Sequence, residues 1–169
     1  MIPLLLIRHG EAVESAGELG DNGRWLTRKG REVTHEVARW LAKKAARRPV
    51  AIWTSPLVRA VQTAEIIVAH RALDLDVSAR RELSPGGDWT ALLTEIARYE
   101  GTGPLALVGH EPMLSNIASA LMPGAPWPGM KKSGVALLLW DGREPAVLGF
   151  WLRPKGMQVI HGPIAQSSE

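Results

Sequence analysis

This chain contains no cysteine, so disulfides, thiolate nucleophiles and thiolate metal ligands are excluded, and the redox compartment stays open. No two histidines stand at HxxxH spacing, no segment is rich in aspartate, and there is no Gly-x-x-x-x-Gly-Lys-Ser/Thr loop. The usual signatures of zinc hydrolases and P-loop nucleotide hydrolases are therefore missing. The apolar run Pro3–Ile7 is too short for a signal-peptide core or a membrane span, so a cytoplasmic protein with no membrane partner is expected. No five like charges stand in a row, and there is no internal repeat, linker or low-complexity segment.

What is present fits an ordinary globular chain. Its 169 residues are 46% apolar and 22% charged, with a net charge of +3. One domain over residues 1–169 is expected, with the tail from about 154 weakly defined. The densest basic cluster, Lys43, Lys44, Arg47 and Arg48, falls at the end of a predicted helix. There it complements the helix dipole, and a nucleic-acid partner is not expected. Most of the seven tryptophans are expected in the core.

Periodicity alternates strand and helix. Leu4–Ile7, Val50–Trp53, Leu75–Val77 and Leu105–Val108 read as short buried strands. Thr27 reads as the cap of a helix whose apolar face is Val33, Val37, Trp40, Leu41 and Ala45. Pro56 and Pro112 each open a further helix, and Asp88 caps another that is lined by Trp89, Leu92, Leu93 and Ile96. Val135–Trp140 and Ala146–Leu152, joined by "DGREP", suggest a hairpin. The pattern predicts an α/β sandwich with a mostly parallel sheet and an antiparallel edge.

Ligands of open α/β sheets bind beyond the carboxyl ends of the strands. Here three strand ends carry chemistry: Arg8-His9-Gly10, "TSPLVRA" with Arg59 in the first helical turn, and Gly109-His110-Glu111. Two arginines and two histidines at one edge describe an anion site, since guanidinium forks match phosphoryl oxygens. A histidine beside phosphate suggests nucleophilic catalysis, with imidazole taking the phosphoryl group before water removes it. That imidazole must be neutral and have one nitrogen tied down, and the Gly10 carbonyl is a candidate partner. The scheme needs no metal. His35 lies opposite its helix's apolar stripe, His70 sits as a cation at a helix end, and His161 is in the tail, so none of these is expected to act.

"LLLIRHGEA", "RWLTRKGREVTHEVARWL", "IWTSPLVRAVQTAEII" and "LALVGHEPML" together resemble the histidine phosphatase superfamily, the phosphoglycerate-mutase-like fold, over residues 4–114. The resemblance implies a three-layer α/β/α sandwich and no cofactor. It makes His9 the nucleophile, Arg8 and Arg59 phosphate ligands, and His110 the second histidine. Arg24 and Thr27, in "DNGRWLTRKG", are placed near the site. The short chain, with little room for a lid between residues 69 and 89, looks most like the SixA-type phosphohistidine phosphatases. That branch implies a phosphorylated protein as partner; a small phosphate ester, a mutase reaction or a non-catalytic phosphate-recognition module are the alternatives. Two carboxylates fall where relatives keep a general acid, Glu82 in "RRELSPGG" and Glu111 beside His110. Either could serve, or neither.

Overall fold

The computed structural model describes residues 1–70 and 75–162. Its sheet contains β1 (Ile2–Arg8), β2 (Ala51–Thr54), β3 (Asp76–Ala79), β4 (Leu105–Gly109), β5 (Val135–Trp140), β6 (Val147–Arg153) and β7 (Gln158–His161). The helices are α1 (Arg28–Ala42), α2 (Val58–Ala69), α3 (Trp89–Ile96) and α4 (Met113–Leu121). The spatial strand order is β3-β2-β4-β1-β5-β6-β7, with the first four parallel and the last three antiparallel to their neighbours.

β1 and β4 are covered on both faces, and this is why they read as unbroken apolar runs rather than alternating ones. On one face α1 and α2 place Val37, Leu41, Ala60 and Ile67 against Leu5, Ile7, Ala106 and Val108. On the other, α3 and α4 place Leu92, Ile96, Leu114 and Ile117 against Leu4, Leu6, Leu105 and Leu107. The result is the expected three-layer α/β/α sandwich. Each of these fully buried leucines contributes about 1.5–3 kcal/mol relative to exposure.

Register aligns the strand ends. Arg8 pairs with Gly109 and Thr54 with Val108, so the chain leaves β1, β2 and β4 at one level. The chain leaving β1 enters α1 on one face, while the chain leaving the adjacent β4 enters α4 on the other. A crevice opens between such diverging connections, at the topological switch point. His9 and His110 flank it.

Local differences from the sequence reading have physical causes. The buried face of α1 is Gly30, Thr34, Val37, Ala38 and Leu41, because its first turns pack on the loop after β1. Val33 is half-buried, and Ala45 falls beyond the helix end. α2 starts at Val58 and α4 at Met113, so Pro56 and Pro112 lie just ahead of their helices. Thr27 and Asp88 do cap α1 and α3, accepting from Gly30 N–H and from Thr90 and Ala91 N–H. Arg47 lies over the Trp40 ring, 3.7 Å from its centroid. Trp140 and Trp151 are buried and Trp25 is 44% exposed; the other tryptophans are half-buried.

The tail departs most from expectation. Residues 158–161 form β7, which pairs with β6, while Met157 and Val159 pack on the α1/α2 face. Four residues after a Gly-containing turn carry no periodicity of their own; pairing with β6 defines them. His70 also differs. Its Nε2 lies 2.8 Å from His35 Nδ1, and burial followed by His35 holds it below the ordinary histidine range, which disfavours the cation expected there.

Candidate active site

His9 follows the last residue of β1. Its N–H donates to the Gly109 carbonyl at 3.1 Å and its carbonyl accepts from Ser133 N–H at 3.2 Å, so the residue is held between β4 and the turn ahead of β5. The ring Nδ1 lies 2.7 Å from the Gly10 carbonyl oxygen. A carbonyl only accepts, so Nδ1 carries the proton and the Nε2 lone pair is free. Burial, with Arg59, Arg8 and Arg24 nearby, lowers the His9 pKa to about 4, although the Gly10 hydrogen bond opposes the shift. The ring is neutral at physiological pH.

Gly10 is fixed in turn. Its N–H donates to Thr63 Oγ1 at 3.1 Å, and that hydroxyl donates to the Arg59 carbonyl at 2.8 Å. A Cβ at Gly10 would sit 2.7 Å from Thr34 Oγ1 and 3.1 Å from the Gly30 carbonyl oxygen, so a larger residue would have to push the Thr34 side chain aside. Arg59 and Thr63 stand one turn apart on α2, so the same helix sets the guanidinium and the peptide that holds His9.

His110 follows β4 and is 3% exposed. Its ring centroid lies 4.9 Å from that of His9. Burial, then His9 and Arg59, lower its pKa to about 3, with Asp21 opposing. Its Nε2 is 2.8 Å from Ser55 Oγ, and Ser55 Oγ accepts from Leu57 N–H at 3.3 Å. With that N–H bound to its oxygen, the Ser55 hydroxyl is free to donate to Nε2. When Ser55 donates, Nδ1 of the neutral ring carries the proton, and among the described residues Nδ1 has no partner.

Arg8 donates from Nη1 to the Met130 carbonyl at 2.8 Å. Arg59, 4% exposed, donates from Nη1 to the Asp21 carbonyl at 2.7 Å and from Nη2 to Asp21 Oδ2 at 2.9 Å. Among the described residues the Nε–H of each has no partner. Buried donors are ordinarily satisfied. Arg47 and Arg80 also have unpartnered Nε atoms, but these guanidiniums lie over Trp40 and Trp53. Arg8 instead ends β1, His110 follows β4 and Arg59 stands in the first turn of the helix after β2, so all three lie at one edge of the sheet. Among the described residues no group of three or more His, Asp or Glu is placed to hold a metal ion.

Residues 4–100 match the histidine phosphatase superfamily (branch 1). The chain belongs to the histidine phosphatase superfamily. A Haemophilus influenzae protein named a phosphohistidine phosphatase SixA homolog is 26% identical over 155 residues, covering 86% of this chain and 92% of that one. An uncharacterized Picosynechococcus protein is 38% identical over 120 residues, 70% of this chain and 72% of its own length. The structure of the protein histidine phosphatase SixA with tungstate matches the fold with a TM-score of 0.84 at 24% identity, covering 93% of this chain and 100% of that one. His110 lies beyond the matched family segment, and the parallel register of β4 on β1 brings it to the site of this phosphatase.

The remaining candidates are spread around the histidine phosphatase centre. Arg24 donates from Nε to the Val13 carbonyl at 2.6 Å and from Nη1 to Asp21 Oδ1 at 2.9 Å. Thr27 is occupied as the α1 cap, and its hydroxyl donates to Glu11 Oε1 at 2.9 Å. Glu111 is half-buried and accepts from Met130 N–H at 2.8 Å. It therefore braces the segment whose carbonyl holds Arg8. Glu82 lies in a 3-10 turn (Arg81–Leu83) and makes no hydrogen bond or ion pair with described residues.

Sequence reasoning missed Asp21 and Ser55. The Asp21 carboxylate bridges Arg24 and Arg59, whose hydrogen bonds hold it below the usual carboxylate range. An acid among loop glycines gives no local signal of this. Ser55 had one: a hydroxyl at a strand end, immediately before a proline.

Proposed function

We propose that this phosphatase removes phosphate from phosphohistidine on proteins in the cytoplasm, through a phosphorylated His9. The carrying observation is the state of His9: buried, neutral, with Nδ1 tied to Gly10 and Nε2 free. Nε2 attacks phosphorus while the bond from phosphorus to the substrate imidazole breaks, and that imidazole takes a proton from solvent. Water then attacks the phosphorus on His9. The Nε2–P bond breaks, phosphate leaves, and neutral His9 returns. Arg8, Arg59 and His110 Nδ1–H stabilise the oxygens through both steps. A positioned donor of this kind is worth about a hundredfold or more in rate.

The protein substrate is favoured by two features. Imidazole leaves without the strong protonation an alkoxide needs, and Glu111 is already committed to Met130 while Glu82 makes no hydrogen bond or ion pair with the described site residues. Residues 75–88, before α3, hold β3 and one 3-10 turn that packs at the ends of β2 and β4, with Arg80 N–H donating to the Thr54 carbonyl at 2.8 Å, and they add no further helix beside the site. The names of the Haemophilus influenzae relative and of the tungstate-bound phosphatase support the same substrate class.

The test is a hydrolysis panel with chelator present: a histidine-phosphorylated protein, a phosphoserine peptide, an aryl phosphate and a sugar phosphate. Phosphohistidine should turn over fastest, and labelled substrate should leave an acid-labile, base-stable label on His9. His9→Ala should lose about a thousandfold or more. Efficient turnover of the sugar phosphate, or a label on another residue, would overturn the proposal.

A further inference from the structure

Beside the phosphoryl site lies a groove of about 1100 Å³ lined by Arg8, the start of α1, the turn ahead of β5 and the turn between β6 and β7. Lys29, Lys131, Lys132, Arg153 and Lys155 line it together with Arg8. Among the described residues its single carboxylate is Glu11, which accepts from the Thr27 hydroxyl and lies 4.0 Å from Lys29. Six cations thus face one carboxylate, a local excess larger than the whole chain's +3. Arg8, Lys131, Lys132, Arg153 and Lys155 make no ion pair with any described residue.

The groove is built into the reaction centre. Lys131 and Lys132 belong to a tight turn closed by Gly134 N–H donating to the Lys131 carbonyl at 2.7 Å. The same segment holds the reacting residues: the Met130 carbonyl accepts from Arg8 Nη1, Ser133 N–H donates to the His9 carbonyl, and the Gly134 carbonyl accepts from Arg8 N–H. Buried Ser133, at φ 58, is pinned by its Oγ 2.9 Å from Thr34 Oγ1. The cations therefore stand at a fixed offset from phosphorus, and one ligand can reach both.

We infer that this groove binds an acidic segment of the phosphoprotein substrate, placing aspartates and glutamates beside the phosphohistidine on Lys29, Lys131, Lys132 and Lys155. The inference rests on the proposed phosphohistidine activity and adds the charge of the substrate. A polypeptide fits better than a nucleic acid. Single strands bind on stacked aromatic rings as well as on cations. Among the described residues the groove lining contains no aromatic side chain, and Trp151 is buried with Arg153 5.3 Å from its ring. The charge is carried mainly by exposed lysines, which suit dispersed carboxylates as point charges.

Two histidine-phosphorylated peptides of equal length, one with Asp and Glu around the histidine and one with Ser and Gln, separate the effects, with free phosphohistidine as a third substrate. Wild type should prefer the acidic peptide by about tenfold in kcat/KM, mostly through KM, since each exposed charge pair is worth about a factor of two. The preference should fade in high salt. The variant K131E/K132E/K155E should lose or reverse it while free phosphohistidine turnover stays within about twofold. Equal rates on both peptides in low salt would overturn the groove assignment and leave the activity standing. Failure on all three substrates would overturn the activity itself, and a binding arm then decides the groove. In it, a labelled unphosphorylated Asp/Glu peptide should bind wild type more tightly than the triple variant. Tighter binding of a thymidine oligonucleotide than of that peptide would refute the acidic-peptide assignment.

Discussion

Acid should destabilise this protein through its own reaction centre. His9 has a native pKa of about 4 and His110 of about 3, both down from an ordinary 6.5 that returns on unfolding. Between pH 6.5 and 4 the unfolded chain binds two protons that the native chain does not. Each such proton costs about 1.4 kcal/mol of stability per pH unit. The stability is fully present above pH 6.5, falls as pH drops below it, and levels off only below the native values. From pH 7.5 to 5.5 the two sites together remove about 3 kcal/mol, a large fraction of a typical total of about 5–15. The assay is urea unfolding followed by tryptophan fluorescence at the two pH values, in a buffer free of phosphate, because a bound anion would favour the protonated rings. The control is H9N/H110Q. Asn can keep a donor for the Gly10 carbonyl, Gln can keep a partner for Ser55, and neither titrates. That variant should lose about 3 kcal/mol less than wild type over the same interval. His35 and His70 remain in both proteins, so their contribution cancels. An equal loss in both would refute the reading of two buried neutral imidazoles, and with it the nucleophile's resting state.

Ser55→Ala removes the hydroxyl that holds His110 Nε2, so kcat should fall about tenfold to a hundredfold with KM little changed. Nitrogen NMR of the ring should show loss of the single Nδ1–H tautomer, and an unchanged tautomer would refute the role. Asp21→Ala removes a carboxylate from the Arg59 fork, so inorganic phosphate should inhibit several-fold more tightly; weaker inhibition would instead make Asp21 the residue that positions Arg59. Glu111→Gln keeps an oxygen for Met130 N–H and should hold phosphohistidine turnover within about tenfold of wild type, whereas Glu111→Ala should lose more through Arg8. Equal losses in the two variants would identify Glu111 as a proton donor.

The amino-acid sequence by itself determined the alternation of strands and helices and the identity of three residues at the strand ends. Buried parallel strands must be apolar throughout, so the first polar residues after each run mark where the chain emerges: Arg8 and His9 after β1, His110 after β4. Thr27 and Asp88 were legible for a similar reason, since caps act within three residues of the groups they satisfy. The tertiary structure alone decided how those residues are held. Arg8 meets the Met130 carbonyl across 122 residues, His110 meets Ser55 across 55, and Arg59 meets Asp21 across 38. It also turned His70 from a cation at a helix end into a partner of His35, and turned an unpatterned tail into β7. Periodicity records which face of an element is buried. It carries no information on which distant side chain arrives there, because that depends on strand register and helix placement that only the assembled core fixes.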